Sequence, residues 1–151
     1  MFKLNKMTDY AVVMMADMAR LPGEVRTAPQ LAEATGVPLP TVSKLLKNLA
    51  NGGLMQSQRG ASGGYSLSRA PEEITVAEII AAVEGPIALT ACVDGSPDQC
   101  GVETICAMRG NWDKVNRAVR GALEQVTLAD MMVSAFDFGI PAPAERAGAA
   151  S

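Results

Sequence analysis

Three cysteines, Cys92, Cys100 and Cys106, fall within fifteen residues of one another and nowhere else in this chain of 151 residues. Seven residues separate the first pair and five the second. Thiolates are soft donors that suit zinc or iron–sulfur clusters. Gly95, Ser96, Pro97, Asp98 and Gly101 lie among them, so a turn-rich loop can bring several sulfurs to one centre. An odd count argues against a disulfide framework. Cys100 stands beside Asp98, Gln99 and Gly101, not at the apolar helix or strand position of an inert core cysteine. Zinc and the common clusters take four ligands, and the chain has no histidine to supply the fourth. An acidic side chain, a partner subunit or a small molecule must complete the set. On residue types three readings stand: metal or cluster binding, a thiol redox switch, and inert cysteines.

Two helices must frame this loop. Upstream, Thr75 and Glu78 form a capping box, with Ile74 and Ile79 placed as a hydrophobic staple; that helix should reach Val83 and stop near Gly85-Pro86. Downstream, a long helix should run to about Val126. Trp112, Val115, Val119, Ala122, Leu123 and Val126 share one face, and Asp113–Arg117 and Arg120–Glu124 are i,i+4 pairs on the other. Thr127 restarts a short turn through Leu128 and Met132. From about Gly139 the Pro/Ala/Gly-rich tail reads as disordered.

The N-terminal half has a different pattern. Thr8 is placed to cap a first helix reaching about Arg20, with Ala11, Met14, Met15 and Met18 at core spacing. Thr27 and Gln30 form a second capping box, opening a short helix that stops at Gly36. After Val37-Pro38 a third helix runs from about Leu39 to Asn51, with Val42, Leu45, Leu46 and Leu49 as its buried stripe. Two short helices joined by a glycine turn are the helix-turn-helix pattern. Leu54–Gln58 and Tyr65–Ser68 read as strands around the small-residue loop from Arg59 to Gly64, a hairpin wing.

Such a third helix is shaped to enter a major groove. Lys44 and Lys47 can neutralise phosphates; Thr41, Ser43 and Asn48 are short enough to approach base edges, with Val42 between them. In the wing, Gly60, Ser62 and Gly63 let backbone approach a sugar–phosphate surface, and Arg59 can reach a phosphate or the minor groove. Net charge is −3, yet residues 1–70 carry eight Lys/Arg against four Asp/Glu, and residues 71–151 carry five against twelve. A basic front half can bind DNA locally while the acidic back half keeps the whole soluble.

Other classes find little support. No histidine, no phosphate-gripping glycine loop before a Lys-Ser/Thr and no paired acids suggest catalysis, so the chain is not expected to be an enzyme. Apolar stretches fall well short of the ~20 residues that a membrane span needs. The opening MFKLNKMTDY has no export-type apolar core, so a cytoplasmic location without membrane contact is expected. A winged-helix protein–protein adaptor with a structural metal is the rival from another class.

MFKLNKMTDYAVVMMADMA, VSKLLKNLANGGLMQSQRGASGGYSLS, ITVAEIIAAVEG and the three cysteines, in that order, resemble the bacterial Rrf-two family of transcription regulators. The resemblance spans roughly residues 1–133, and the opening segment looks most like the subgroup that regulates the SUF iron–sulfur assembly operon. It implies a mainly α fold with a small β-hairpin wing: a winged helix-turn-helix over 1–84, a cysteine loop over 85–107, a dimerisation helix and short turn over 108–133, and a tail over 134–151. It implies a homodimer on a pseudo-palindromic double-stranded operator, acting as a repressor, with nitric-oxide or redox sensing as the alternative signal. Cys92, Cys100 and Cys106 match the family's cluster ligands, a 2Fe–2S cluster ahead of 4Fe–4S. Where IscR-like members place a histidine this chain has Arg109, which will not ligate iron. NsrR-like members use a carboxylate from the partner's first helix; Asp9 stands there, with Glu103 and Asp98 behind it.

Overall fold

The computed structural model describes residues 3–90, 93, 96, 101, 107, 108 and 110–132. In chain order these form α1 (Lys6–Ala19), α2 (Ala28–Thr35), α3 (Leu39–Asn51), β1 (Met55–Gln58), β2 (Gly64–Leu67), α4 (Val76–Glu84), α5 (Asn111–Glu124) and α6 (Leu128–Met131). A single 3-10 turn, Pro71–Glu73, precedes α4. The architecture is mainly helical with one antiparallel hairpin, the winged helix-turn-helix predicted from the pattern.

Helix α1 begins earlier than Thr8 would have it. Asn5 is the cap, its side-chain oxygen accepting the N–H of Met7 at 3.0 Å. Thr8 lies inside the helix and is buried. A cap has to sit where the chain enters the helix, and Asn5 is fixed there by donating its own N–H to Glu84 Oε1 at 2.9 Å. The start of α1 is thereby tied to the end of α4. Ala11, Met14, Met15 and Met18 are buried as their spacing requires, while Val13 faces solvent.

Helix α2 carries its capping box: Gln30 N donates to Thr27 Oγ1 at 3.3 Å and Thr27 N to Gln30 Oε1 at 2.9 Å. Helix α3 follows the expected limits, and Val42, Leu45, Leu46 and Leu49 are all fully buried. With Leu31, Val37 and the α1 methionines they form one core. Burying each such side chain contributes roughly 1.5–3 kcal/mol, which fixes how α3 is rotated.

The hairpin pairs Met55 with Leu67 and Gln58 with Gly64, one residue inside the expected strand at the first end and one earlier at the second. Its base is closed by Ser68 N donating to Leu54 O at 3.1 Å and Ser68 Oγ to Gly53 O at 2.6 Å. A third segment joins it: Arg26 N donates to Tyr65 O at 2.8 Å and Tyr65 N to Arg26 O at 2.7 Å.

Helix α4 has its capping box and its staple. Glu78 N donates to Thr75 Oγ1 at 3.2 Å, Thr75 N donates to Glu78 Oε2 at 2.9 Å, and Ile74 and Ile79 are both buried. The helix stops at Gly85. The chain then returns at 126–128 to pair with 74–76. Val76 N donates to Val126 O at 2.8 Å, and Leu128 N to Ile74 O at 2.7 Å. Leu128, at the start of the Thr127-capped α6, is fully buried in the same core as Met14 and Leu45. The last described helix thus completes the first core.

Helix α5 is shorter than expected at its C-terminal end and is turned. Trp112 and Val115 are each 44% exposed and Ala122 is exposed, whereas Asn116 is only 3% exposed. The Trp112–Val115 end of the apolar stripe is therefore left open, while Val119, Leu123 and Val126 are half-buried. The tail, 134–151, lies outside the described residues.

Candidate nucleic-acid interface

The core decides which side of α3 faces outward. With Val42, Leu45, Leu46 and Leu49 turned in, Lys44 and Lys47 are exposed and Thr41, Ser43 and Asn48 are half-buried along the rim. Val42 is a correction: with none of its surface exposed it packs in the core and has no access to DNA. Its place on a 3.6-residue repeat, three before Leu45 and four before Leu46, carries that signal. Helix α3 has no acidic residue, and neither lysine is in an ion pair among the described residues.

The wing presents Arg59, Gly60 and Ser62 to solvent, with Gly63 half-buried. Gly63 and Gly64 are glycines for the wing's own sake. A Cβ at Gly63 would stand 2.5 Å from the Gln58 carbonyl oxygen. At Gly64, where φ is +156°, it would stand 2.6 Å from the Arg26 oxygen. Gly60, at φ +107°, has open space around it, so only its backbone angle calls for glycine there. Of the loop glycines, Gly60 remains free to approach a ligand.

What holds the wing to the helices is Arg26. Beyond its backbone pairing with Tyr65, its Nη1 lies 3.0 Å from Asp17 Oδ2 on α1, with both side chains largely shielded. Neither the third segment nor this ion pair was visible as a sequence pattern, because both join residues distant in the chain.

Cys92, Cys100, Cys106, Asp98, Glu103 and Arg109 lie outside the described residues. Among the described residues no three His, Cys, Asp or Glu side chains converge as a metal site. Of the expected ligand set only Asp9 is described. It is exposed on the first turn of α1 and lines, with Leu4, Val12, Val76 and Met131, an apolar pocket of about 430 Å³. Thr8 lines the same pocket, and its hydroxyl oxygen has no hydrogen-bond partner among the described residues. Nearby, the Lys6 ammonium sits 5.3 Å over the Tyr10 ring, and a hydrogen bond to the Tyr10 side chain holds its pKa above the usual value.

The two stems of the cysteine loop are joined by a residue that the sequence reading passed over. Asn116 Nδ2 donates to Ile87 O at 3.0 Å, and Leu89 N donates to Asn116 Oδ1 at 2.9 Å. A buried amide is tolerated when both its donor and its acceptor are used, as here. The chain just before Cys92 is thus bonded to α5. Also missed were Leu39 and Pro40, exposed at the start of α3. Pro40, with Ser43, Lys44 and Lys47 at i+3, i+4 and i+7, carried a signal; Leu39 did not, because Val42 and Leu46 follow it at core spacing.

Comparison with known proteins agrees with this arrangement. The Rrf2 family model, described as an iron-dependent transcriptional regulator, matches residues 4–134. CymR of Bacillus subtilis is 32% identical over 130 residues, covering 85% of this chain and 88% of CymR. NsrR of the same organism is 27% identical over 131 residues, covering 86% and 90%. Among solved structures, B. subtilis CymR, described as the global cysteine regulator, superposes with a TM-score of 0.65 at 31% identity, covering 87% of this chain and 97% of that one. T. potens IscR superposes with a TM-score of 0.61 at 31% identity, covering 87% and 86%. These relatives are named as transcription regulators, not enzymes, and among the described residues no helix is long and apolar enough to cross a membrane. On the family match over nearly all of the described fold, the chain belongs to the Rrf2 family of transcription regulators.

Proposed function

We propose that the protein is a homodimeric repressor of iron–sulfur cluster assembly genes of the SUF type, binding a pseudo-palindromic operator according to the state of its cysteine loop. The observation that carries the DNA-binding half is the rotation of α3. The helix seats Val42, Leu45, Leu46 and Leu49 in the core and leaves Lys44 and Lys47 outward with Ser43 on the rim, and the Arg59–Gly63 loop as the wing. Thr41, Ser43 and Asn48 read base edges, Lys44 and Lys47 neutralise phosphates, and Arg59 with Gly60 and Ser62 meets the backbone or minor groove. The exposed Trp112 and Val115 supply the apolar face on which a second copy packs.

Cys92, Cys100 and Cys106, with Asp9 of the partner subunit, would hold an iron–sulfur cluster, 2Fe–2S ahead of 4Fe–4S. The donor set fits: three thiolates and one carboxylate make four ligands, and no histidine is needed. When bound, such a group supplies a redox- and nitric-oxide-reactive centre. The chain's own residues carry the response. Asn116 bonds the stem before Cys92 to α5, and α4 packs on the end of α3, where Gly52 lies so close to Ala82 that an added Cβ would stand 2.7 Å from it. Ordering the loop then biases the placement of α3 through α4.

The test is anaerobic purification followed by iron, sulfide and zinc analysis and a visible spectrum. Iron and sulfide in the wild type, and a colourless, folded Cys92/Cys100/Cys106→Ala triple variant, are expected. A triple variant that keeps the colour contradicts the ligand assignment. The second reading, reversible thiol oxidation without a cluster, draws on a solved Staphylococcus aureus CymR described as an oxidised form, similar at 26% identity and a TM-score of 0.62 over 88% of this chain. Metal-free protein whose DNA binding follows thiol oxidation would favour it.

A further inference from the structure

Leu39 and Pro40 open α3, and neither has a place in the core: Leu39 is 43% exposed and Pro40 is exposed. Helical spacing puts Leu39 at the open end of the stripe that runs into Val42 and Leu46, with Ser43 on its other side, and Pro40 in line with Lys44 and Lys47 on the outward face. The start of a helix commonly gathers anions through its free N–H groups. Here Pro38 and Pro40 have none, no side chain caps the end, and Val42 N already donates to Pro38 O at 3.0 Å. The tip of α3 is a stiff apolar knob bordered by positive charge.

In helix-turn-helix docking it is the N-terminal residues of the second helix that meet the base edges. The one apolar group on any base edge in the major groove is the C5-methyl of thymine. We infer that Leu39, with Pro40 beside it, reads thymine methyl groups in the operator half-site. Lys44, Lys47 and the absence of acid in α3 favour a polyanion over a protein as what covers this knob. The inference rests on the DNA-binding reading above and adds a base identity to it.

The experiment starts from the full chain and a random-sequence duplex library. The enriched operator is resynthesised with deoxyuridine in place of thymidine, which removes only the methyl groups. Wild-type protein should bind the deoxyuridine duplex about fourfold more weakly for each methyl covered. Leu39→Ala should bind the two duplexes alike, and Leu39→Met, which keeps the apolar volume, should retain most of the difference. Lys44→Ala should weaken both duplexes equally, with its methyl sensitivity intact. Because Leu39 is 43% exposed, its variants should stay folded, with thermal melts close to wild type. Equal wild-type affinity for the two duplexes overturns the inference, as does full methyl sensitivity in Leu39→Ala. If no sequence is enriched at all, the DNA-binding proposal itself falls, and the inference with it.

Discussion

The side-chain oxygen of Asn116 accepts the backbone N–H of Leu89 at 2.9 Å, and the same amide donates to Ile87 O at 3.0 Å. One buried side chain therefore serves as the missing strand partner for the segment that leads into Cys92. Asn116→Ala would leave a shielded N–H and C=O without partners, at a cost of about 2–4 kcal/mol. A lower urea midpoint with an unchanged slope is expected. An unshifted midpoint would show that water replaces the amide at no cost.

The wing depends on contacts that a methyl group would break. At Gly64, an added Cβ would meet Arg26 O at 2.6 Å, on a backbone whose φ of +156° already disfavours a side chain. Gly64→Ala should therefore part β2 from the 26 segment and weaken operator binding by tenfold or so, while the far-ultraviolet signal of the helices persists. Retained affinity would mean that the wing contributes little to binding.

Stability should fall in acid partly through Glu78. Burial raises its pKa, but the Thr75 N–H and the Arg69 guanidinium, 2.7 Å away, outweigh it and leave the group below its ordinary 4.5. A depressed carboxylate stabilises the fold above its unfolded value and loses that contribution as pH falls through the folded value. Glu78→Gln should thus be less stable than wild type at neutral pH, with the gap closing as the pH drops below 4.5. The pair is near the surface, so the gap is modest and shrinks in salt. Parallel curves across the whole range would refute the assignment.

If Lys44 and Lys47 act by charge, as proposed, their loss should weaken all sequences to a similar degree. For each phosphate contact removed, the slope of log affinity against log salt should fall by about 0.9. In the proposed two-fold dimer each substitution removes two contacts, so Lys44→Ala should show about twice that change. A slope equal to wild type would place Lys44 away from the phosphates.

Local chemistry was legible in the sequence wherever one element decides it. The Thr27–Gln30 and Thr75–Glu78 boxes, the stripe from Val42 to Leu49 and the hairpin around Arg59 all follow from spacing and side-chain type. What escaped depends on partners far along the chain. Asn5 caps α1 in place of Thr8 because Glu84, on another helix, anchors it. Arg26 joins the wing through Tyr65, and 126–128 returns to 74–76, without any local pattern to announce either. On α5 the apolar stripe was seen, but periodicity alone does not say how much of it faces the chain's own fold; its one fully buried side chain is Asn116, turned to the 87–89 segment. Among the site residues, Val42 was assigned to both core and groove, and only packing separates the two.

If the cysteine loop governs the grip on DNA, removing its thiols must change operator affinity. The direct measurement is anaerobic operator affinity for wild-type protein with the proposed cluster bound and for the Cys92/Cys100/Cys106→Ala triple variant, in the same salt. A difference of tenfold or more is predicted, with both proteins folded and dimeric. Equal affinities, in a wild type shown by analysis to hold iron and sulfide, would contradict it.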